Sequence, residues 1–285
     1  MEENYRVVTS VEEFSACIEK LRINNIIWFR GQSNSEYPIE PTLFRKRHVI
    51  GDYKGIDRQQ YNFKKSDAIM KNDLYALDLF KQKHFAKYRI STLNDIDYLY
   101  LMQHYDIQTR LLDFSTDPFV ALYFSTQKKK NEKKFEEEIE NIYKEEARNN
   151  DSSTIFCINP YILNKQSMGY DGIINLKDTN FNDLKEILHP LAIETDFEDD
   201  RITAQKSKFI FFGRMYNDYE FYSILKGSYF RIIIPNSCRK QIFEHIKKTG
   251  YNHTDIFPDF KGIALEINEA IEENYITSLK KLTND

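Results

Sequence analysis

Short apolar runs rich in β-branched and aromatic residues recur along this chain, and stretches with helical periodicity separate them. The clearest runs are 26–29, 154–158, 208–212 and 229–234. Runs of this length and composition predict buried strands. Because helical segments lie between them, we expect an α+β fold with a mixed, split β-sheet flanked by helices. We interpret the chain as a single domain over residues 1–285, with its core at about 8–270.

Capping signals place several of the helices. Ser10 with Glu13 forms a capping-box pattern that predicts a helix over about 11–22. Asn94 predicts the start of a short helix that carries His104 near its end. Pro118 predicts the first turn of a buried helix. Residues 164–200 are polar and acidic, and we expect loops there around a short helix at 181–188.

The segment 128–150 differs from the rest because it holds as many basic as acidic residues, with apolar residues at helical spacing. This pattern predicts an inserted, charged amphipathic helix. Its role stays open between a solvated surface and an arm that contacts a partner.

Composition excludes several classes of protein. The formal net charge of −4 is not that of a strongly basic nucleic-acid clamp, although a local basic cleft stays possible. The acidic N-terminus is unlike a signal peptide, and no apolar run is long enough to span a membrane. The 3 cysteines lie far apart, so we expect no disulfide scaffold and no metal site, and a cytoplasmic location.

Charged side chains stand at the ends of the apolar runs. Arg30 directly follows the run 26–29, and a guanidinium there needs a carboxylate, a phosphate or a ligand pocket. Arg110 and Asp113 flank two leucines in the same way. An ion pair between them and a role in ligand binding are both open.

Two blocks carry a family resemblance: WFRGQ at 28–32 and QHYDIQTRLLDFSTDPFVALYFS at 103–125. Together they resemble the FRG domain, a largely prokaryotic family with a Phe-Arg-Gly signature. The stretches RITAQKSKF at 201–209 and DIFPDFKGIA at 255–264 are similar to weaker family motifs. Asp106 departs from the family, which usually has Gly in that loop.

The order of elements also resembles an ADP-ribosyltransferase core, in which an early-strand Arg holds one end of NAD. This resemblance implies NAD as co-substrate and no metal. It implies catalytic roles for Arg30, His104, Ser115 and Gln205. The implied substrate- and cofactor-binding residues are Gly31, Gln32, Gln103, Thr109, Arg110, Asp113 and Thr116.

Gln205 stands where such enzymes carry a Glu, and an amide cannot act as a general base. Three functions therefore stay open. The first is an ADP-ribosyltransferase-like enzyme acting on nucleic acid or protein, in the setting of bacterial and phage conflict or toxin–antitoxin defence that the family implies. The second is a metal-independent nuclease that uses His104, Arg110 and Asp113. The third is a non-catalytic module that senses a nucleotide or binds a protein.

Overall fold

The computed structural model describes residues 4–35, 37–45, 58–89, 93–127, 152–177, 179, 181–197, 199–214, 218–225 and 228–283. The strands are β1 (Tyr5–Val7), β2 (Trp28–Gln32), β3 (Leu111–Ser115), β4 (Ser153–Ile158), β5 (Ile174–Asn175), β6 (Leu191–Glu194), β7 (Ser207–Phe211) and β8 (Tyr229–Ile234). The first helices are α1 (Val11–Ile23), α2 (Thr42–Arg45), α3 (Arg58–Tyr88), α4 (Asp95–His104), α5 (Pro118–Thr126) and α6 (Pro160–Met168). The later helices are α7 (Phe181–Glu186), α8 (Asp200–Ala204), α9 (Asp218–Leu225), α10 (Asn236–Lys247), α11 (His253–Ile256) and α12 (Phe260–Thr283).

The described strands form one eight-stranded sheet in the order β1-β8-β4-β2-β3-β7-β6-β5. The outer pairs β1–β8 and β5–β6 are parallel, and the inner pairs are antiparallel. The sheet is therefore mixed, as the sequence predicts. The prediction of an α+β fold is confirmed, and the single-domain organisation stays a prediction.

The sheet splits at its centre, between β2 and β3. Their register consists of one pair, Phe29 opposite Ser115. By contrast, β2 pairs with β4 along its whole length, and β3 pairs with β7 along its whole length. Each central strand is thus fully paired only with its outer neighbour. Beyond Phe29 the two halves of the sheet are not paired with each other.

Three apolar clusters cover the sheet. One joins α1, α5, α10 and α11 to β2, β4 and β8, and a second joins α2, α6 and α9 to the central strands. The third packs α3, α4 and α7 against β6 and β7. Among the helices described, none is both long enough and apolar enough to cross a membrane.

The predicted caps are found where the sequence places them. The side chain of Ser10 accepts a hydrogen bond at the start of α1, and Asn94 forms a capping box with Asp97. Asp117 caps α5, with Pro118 in its first turn. The predicted loop region 164–200 is wrong in part, because its sequence also forms β5 and β6. The predicted helix 128–150 lies outside the described residues.

Candidate functional site: a cleft at the split of the sheet

Arg30 bridges the split between the two halves of the sheet. Its Nη1 donates a 2.7 Å hydrogen bond to the main-chain carbonyl of Asp113 on β3, and it lies 3.9 Å from the Asp113 carboxylate. The guanidinium thus donates to a backbone carbonyl that would otherwise accept a hydrogen bond from the backbone of a neighbouring strand. Its Nε is buried and has no hydrogen-bond partner among the described residues.

Burial lowers the pKa of Arg30 to about 10, an effect that Asp113 opposes and Arg45 reinforces. The group therefore stays cationic at neutral pH. A largely buried cation with unused hydrogen-bonding capacity favours an anionic ligand, because an anion offsets the cost of removing the charge from water.

A chain of hydrogen bonds links three side chains of the second sequence block, those of Thr109, Gln103 and Asp113. The hydroxyl of Thr109 donates to Oε1 of Gln103, and Nε2 of Gln103 donates a 2.9 Å bond to Oδ2 of Asp113. Thr109 is fully buried, whereas the Asp113 side chain is 45% exposed. Thr109 therefore positions Gln103, and Gln103 orients a carboxylate that reaches the cleft.

Arg110 lies apart from this arrangement. Its side chain is fully buried, its Nε lies 2.6 Å from Asp73 of α3, and its guanidinium stacks over the ring of Phe211. Of the two alternatives left open for these residues, the ion pair between Arg110 and Asp113 is wrong, because Arg110 binds Asp73 whereas Asp113 lies beside Arg30 and Gln103. Arg110 secures α3 to the sheet and does not line the cleft.

Ser115 and Gln205 join the end of β3 to the turn before β7. The hydroxyl of Ser115 donates a 2.7 Å bond to the carbonyl of Gln205 and accepts one from the amide of Asp117. The side-chain amide of Gln205 donates to the carbonyl of Ile256. The proton of Ser115 is thus already engaged. Thr116 binds the carbonyl of Lys206 through its own backbone amide.

The cleft has an inner lobe of about 170 Å³. Its walls are largely apolar and aromatic, and its lining consists of Phe29, Arg30, Gly31, Asp113, Phe114, Ser115, Val120, Ala121, Phe124 and Gln205. A side chain at Gly31 would overlap the carbonyl oxygen of Ala121, so glycine lets α5 approach β2 closely. Gln32 is buried beside this wall, and its amide donates to the carbonyl of Pro38.

The outer lobe, of about 250 Å³, adjoins the inner lobe at Arg30, Asp113, Phe124 and Gln205. It is more polar and contains further cationic side chains, Arg45, Arg201 and Lys261. His104 and Asp199 also line it, and the His104 ring nitrogen Nδ1 lies 2.8 Å from Oδ2 of Asp199. Asp106, where the family has Gly, lies at this rim with a φ of 57°, in the left-handed region that favours glycine.

The two weaker sequence motifs meet at the outer lobe. Arg201 binds Asp259 through Nε at 2.6 Å and the carbonyl of His104 through Nη1 at 2.9 Å. The Arg201 guanidinium also lies over the ring of Phe257. Sequence reasoning missed Arg201 and Phe257 as site residues. One sequence feature could have indicated this contact: Arg201 and Asp259 carry opposite charges and lie one in each of the two weaker motifs.

Residues 25–134 match the family model of the FRG domain. The chain carries an FRG domain. No curated protein and no solved structure gives a significant match to the chain. Arg30, His104 and Asp113 lie inside the matched part of the FRG domain, whereas Arg201, Gln205 and Phe257 follow it. The cleft is thus built by the FRG domain together with C-terminal segments that fold against it.

The structure brings together at one cleft the predicted site residues Arg30, Gly31, Gln103, His104, Asp113, Ser115 and Gln205. Gln32, Thr109, Arg110 and Thr116 are not among its lining residues. In the part of the chain that the structure describes, no group of three or more His, Cys, Asp or Glu side chains could hold a metal ion. The catalytic and binding roles of the cleft residues stay predictions.

Proposed function

We propose that this cleft binds NAD and that the protein is an ADP-ribosyltransferase-like enzyme acting on a nucleic-acid or protein acceptor. The observation that carries the proposal is the Arg30 guanidinium in the split of the sheet, which is cationic and largely buried, with a buried Nε that has no partner among the described residues. NAD is an anionic diphosphate ester with a flat aromatic ring at one end. The cleft offers a cation for the first feature and an apolar, aromatic lobe for the second.

Each of the two lobes accommodates one of the reactants, NAD or the acceptor. In our proposal the nicotinamide ring enters the inner lobe, between Phe114 and Phe124. The diphosphate lies against Arg30, where the lobes join, and against Arg45 in the outer lobe. The acceptor approaches through the outer lobe, which is the larger and more open of the two to polar groups.

Asp113 supplies the negative charge that Gln205 cannot. Loss of nicotinamide leaves an oxocarbenium-like ribose, and a carboxylate held nearby stabilises the positive charge that develops there. Gln103 fixes the Asp113 carboxylate at 2.9 Å, so the charge is already oriented before reaction. In this proposal Gln205 forms part of the wall of both lobes, and Ser115 holds the turn that carries Gln205 through its hydrogen bond to the Gln205 carbonyl.

The nuclease alternative loses support because it needs Arg110 at the substrate, and this side chain is 0% exposed and paired with Asp73. The alternative of a non-catalytic sensor uses the same cleft without turnover. NAD binding and nicotinamide release separate this sensor from the enzyme.

The experiment measures NAD binding by calorimetry and free nicotinamide by chromatography, with DNA, RNA and protein acceptors supplied. We expect wild-type protein to bind NAD and release nicotinamide. Arg30→Ala should weaken binding strongly and reduce release by about 100-fold or more, since removing one preorganised charged group costs that much in comparable sites. The matched control is Arg22→Ala, at an exposed position on α1. It should match wild type.

Asp113→Asn separates the steps, because it keeps the shape of the side chain and removes its charge. We expect near-normal NAD binding with nicotinamide release lowered. Binding without release by wild-type protein would favour the sensor, and the absence of both would overturn the proposal. Expression in bacterial cells tests the proposed toxin or defence setting: wild type should slow growth and Arg30→Ala should not.

A further inference from the structure

His104 and Asp199 form a pair that the proposed roles above do not use. His104 ends α4 and lines the outer lobe, with its Nδ1 2.8 Å from Oδ2 of Asp199 and both side chains less than one-fifth exposed. Its other ring nitrogen, Nε2, has no partner among the described residues. One nitrogen thus faces a carboxylate and the other is available to a ligand.

Asp199 is held rigidly from both sides. Its Oδ1 accepts hydrogen bonds from the backbone amides of Arg201 and Ile202 and so caps α8. Arg201 in turn binds the carbonyl of His104 and the carboxylate of Asp259. The end of α4 and the start of α8 are therefore locked together, and the carboxylate cannot move away from the imidazole without losing its cap.

The Nδ1–Oδ2 distance is within hydrogen-bonding range, but the alignment of the two groups is too poor for a hydrogen bond, and Nδ1 has no hydrogen-bond partner among the described residues. Catalytic hydrogen bonds are often poorly aligned before substrate binds and tighten in the complex.

We propose that His104 is the general base that deprotonates the acceptor and that Asp199 is the residue that positions it. This inference rests on the proposed function. A hydroxyl acceptor is the class that needs such a base, because an uncharged O–H is a weak nucleophile, whereas thiolates and carboxylates attack unaided. The C-terminal part of the cleft thereby gains a catalytic role.

The step balances in atoms and charge. The acceptor oxygen forms a bond to C1′ of the NAD ribose, and its proton moves to Nε2 of His104. The bond from C1′ to nicotinamide breaks, and its electron pair stays on the nicotinamide nitrogen, which becomes neutral. The imidazolium carries the released positive charge beside the Asp199 carboxylate. Water takes the place of the hydroxyl when no acceptor is bound.

Asp199 acts by selecting the tautomer of the ring. A carboxylate beside Nδ1 favours the proton on that nitrogen and leaves the lone pair of Nε2 free to accept one. Replacing Asp199 by Asn keeps an oxygen for the cap, since Asn caps helices as well as Asp does. It also presents an N–H donor to Nδ1, which favours the opposite tautomer with Nε2 already protonated.

The test compares wild type with Asp199→Asn and His104→Ala in transfer to a hydroxyl-bearing acceptor. We expect kcat to fall by about 100-fold or more, the usual worth of general-base catalysis, with KM for NAD within about twofold. The matched control is Glu12→Gln, which alters another His–carboxylate pair, His245 with Glu12 at 3.9 Å on the surface.

A second measurement does not depend on activity. The ¹⁵N shifts of the His104 ring in the ligand-free protein should report a proton on Nδ1 in wild type and on Nε2 in Asp199→Asn. Normal kcat in Asp199→Asn, or a wild-type ring protonated on Nε2, would overturn the inference. The proposed function fails on a different result, namely that wild-type protein neither binds NAD nor releases nicotinamide. In that case the ring tautomer still decides whether Asp199 positions His104.

Discussion

At the scale of single residues, the Phe-Arg-Gly signature combines two separate requirements. Arg30 carries charge into the split and fills the hydrogen-bonding position on Asp113. Gly31 permits the close contact between β2 and α5. Neighbouring residues on a strand point to opposite faces, so Arg30 reaches into the split while Gly31 faces α5, which forms one wall of the inner lobe.

Gly31→Ala tests the packing requirement. We expect a loss of about 2 kcal/mol or more in the free energy of unfolding, because an added methyl group meets backbone atoms of Ala121 and Ser125 that cannot rotate away. Urea denaturation followed by circular dichroism measures it. The control Gly169→Ala has open space around it and a φ of 75°, so it should lose only about 1 kcal/mol through backbone strain. Equal losses in the two variants would contradict the packing argument.

The cleft shows which residues sequence reasoning can find. Arg30 and Asp113 were predictable because charges at the ends of apolar runs need a partner or a ligand. Thr109 was assigned to binding, whereas its hydroxyl acts on Gln103 inside the protein. Arg201 was missed because it reaches His104 across 97 positions of the chain, and no local sequence pattern indicates a contact over that distance.

At the scale of elements, capping and apolar periodicity located most of the helices and the central strands. The strands β1, β5 and β6 were missed because they have four residues or fewer, and so short a segment shows no readable period. Their strand conformation comes from pairing with a neighbour in the sheet. The split between β2 and β3 depends on the register of the strands, which follows from the packing of both halves.

The short helix α11 connects the cleft to a buried polar network. Its last residue, Ile256, accepts the side-chain amide of Gln205 through its carbonyl, and its first, His253, contacts the hydroxyl of Tyr123 on α5 at 2.5 Å. His253 also lies 3.5 Å from Glu269 of α12. The position of Gln205 is thus linked to the docking of α12.

Burial lowers the pKa of His253 and Lys247 lowers it further, while Glu269 and Glu266 oppose the change. The unfolded chain, in which the pKa is about 6.5, therefore binds a proton more readily than the folded protein. The contribution of His253 to the free energy of unfolding is therefore fully present above pH 6.5, and it is lost as the pH falls from there through the pKa of the folded protein.

His253→Gln should reduce this acid sensitivity. We expect the difference in unfolding free energy between pH 7.5 and pH 5 to be smaller in the variant than in wild type, as measured by urea denaturation at each pH. His245→Gln, with a side chain that is 48% exposed, is the control. A decline in His253→Gln as steep as in wild type would show that other groups cause it.

At the scale of the whole molecule, α12 is docked along one side and bare along the other. Gly262 packs against the carbonyl of Phe257, and Glu269 binds Lys247. The opposite side exposes large apolar residues at helical spacing, Phe260, Ile263, Ile267, Ile271 and Tyr275. These side chains therefore contribute little to the stability of the described fold.

The double variant Ile267→Ser with Ile271→Ser tests this statement. We expect a change in unfolding free energy of about 0.5 kcal/mol per site or less, as for substitutions at exposed positions. Thermal unfolding measured at several protein concentrations provides the readout. A larger loss that grows with concentration would show that the bare side is covered in solution. The control Ile256→Ser, at a 1% exposed position, should be strongly destabilising.

The contact between Gly31 and Ala121 has a consequence for how this protein can diversify. Main-chain atoms of β2 and α5 meet there, so that wall of the inner lobe has a fixed position that no replacement at Gly31 can enlarge. The shape of the lobe can change only through the other side chains that line it, of which the large apolar ones are Phe29, Phe114, Val120 and Phe124. Natural variants with a differently shaped lobe should therefore differ among these side chains and keep the glycine.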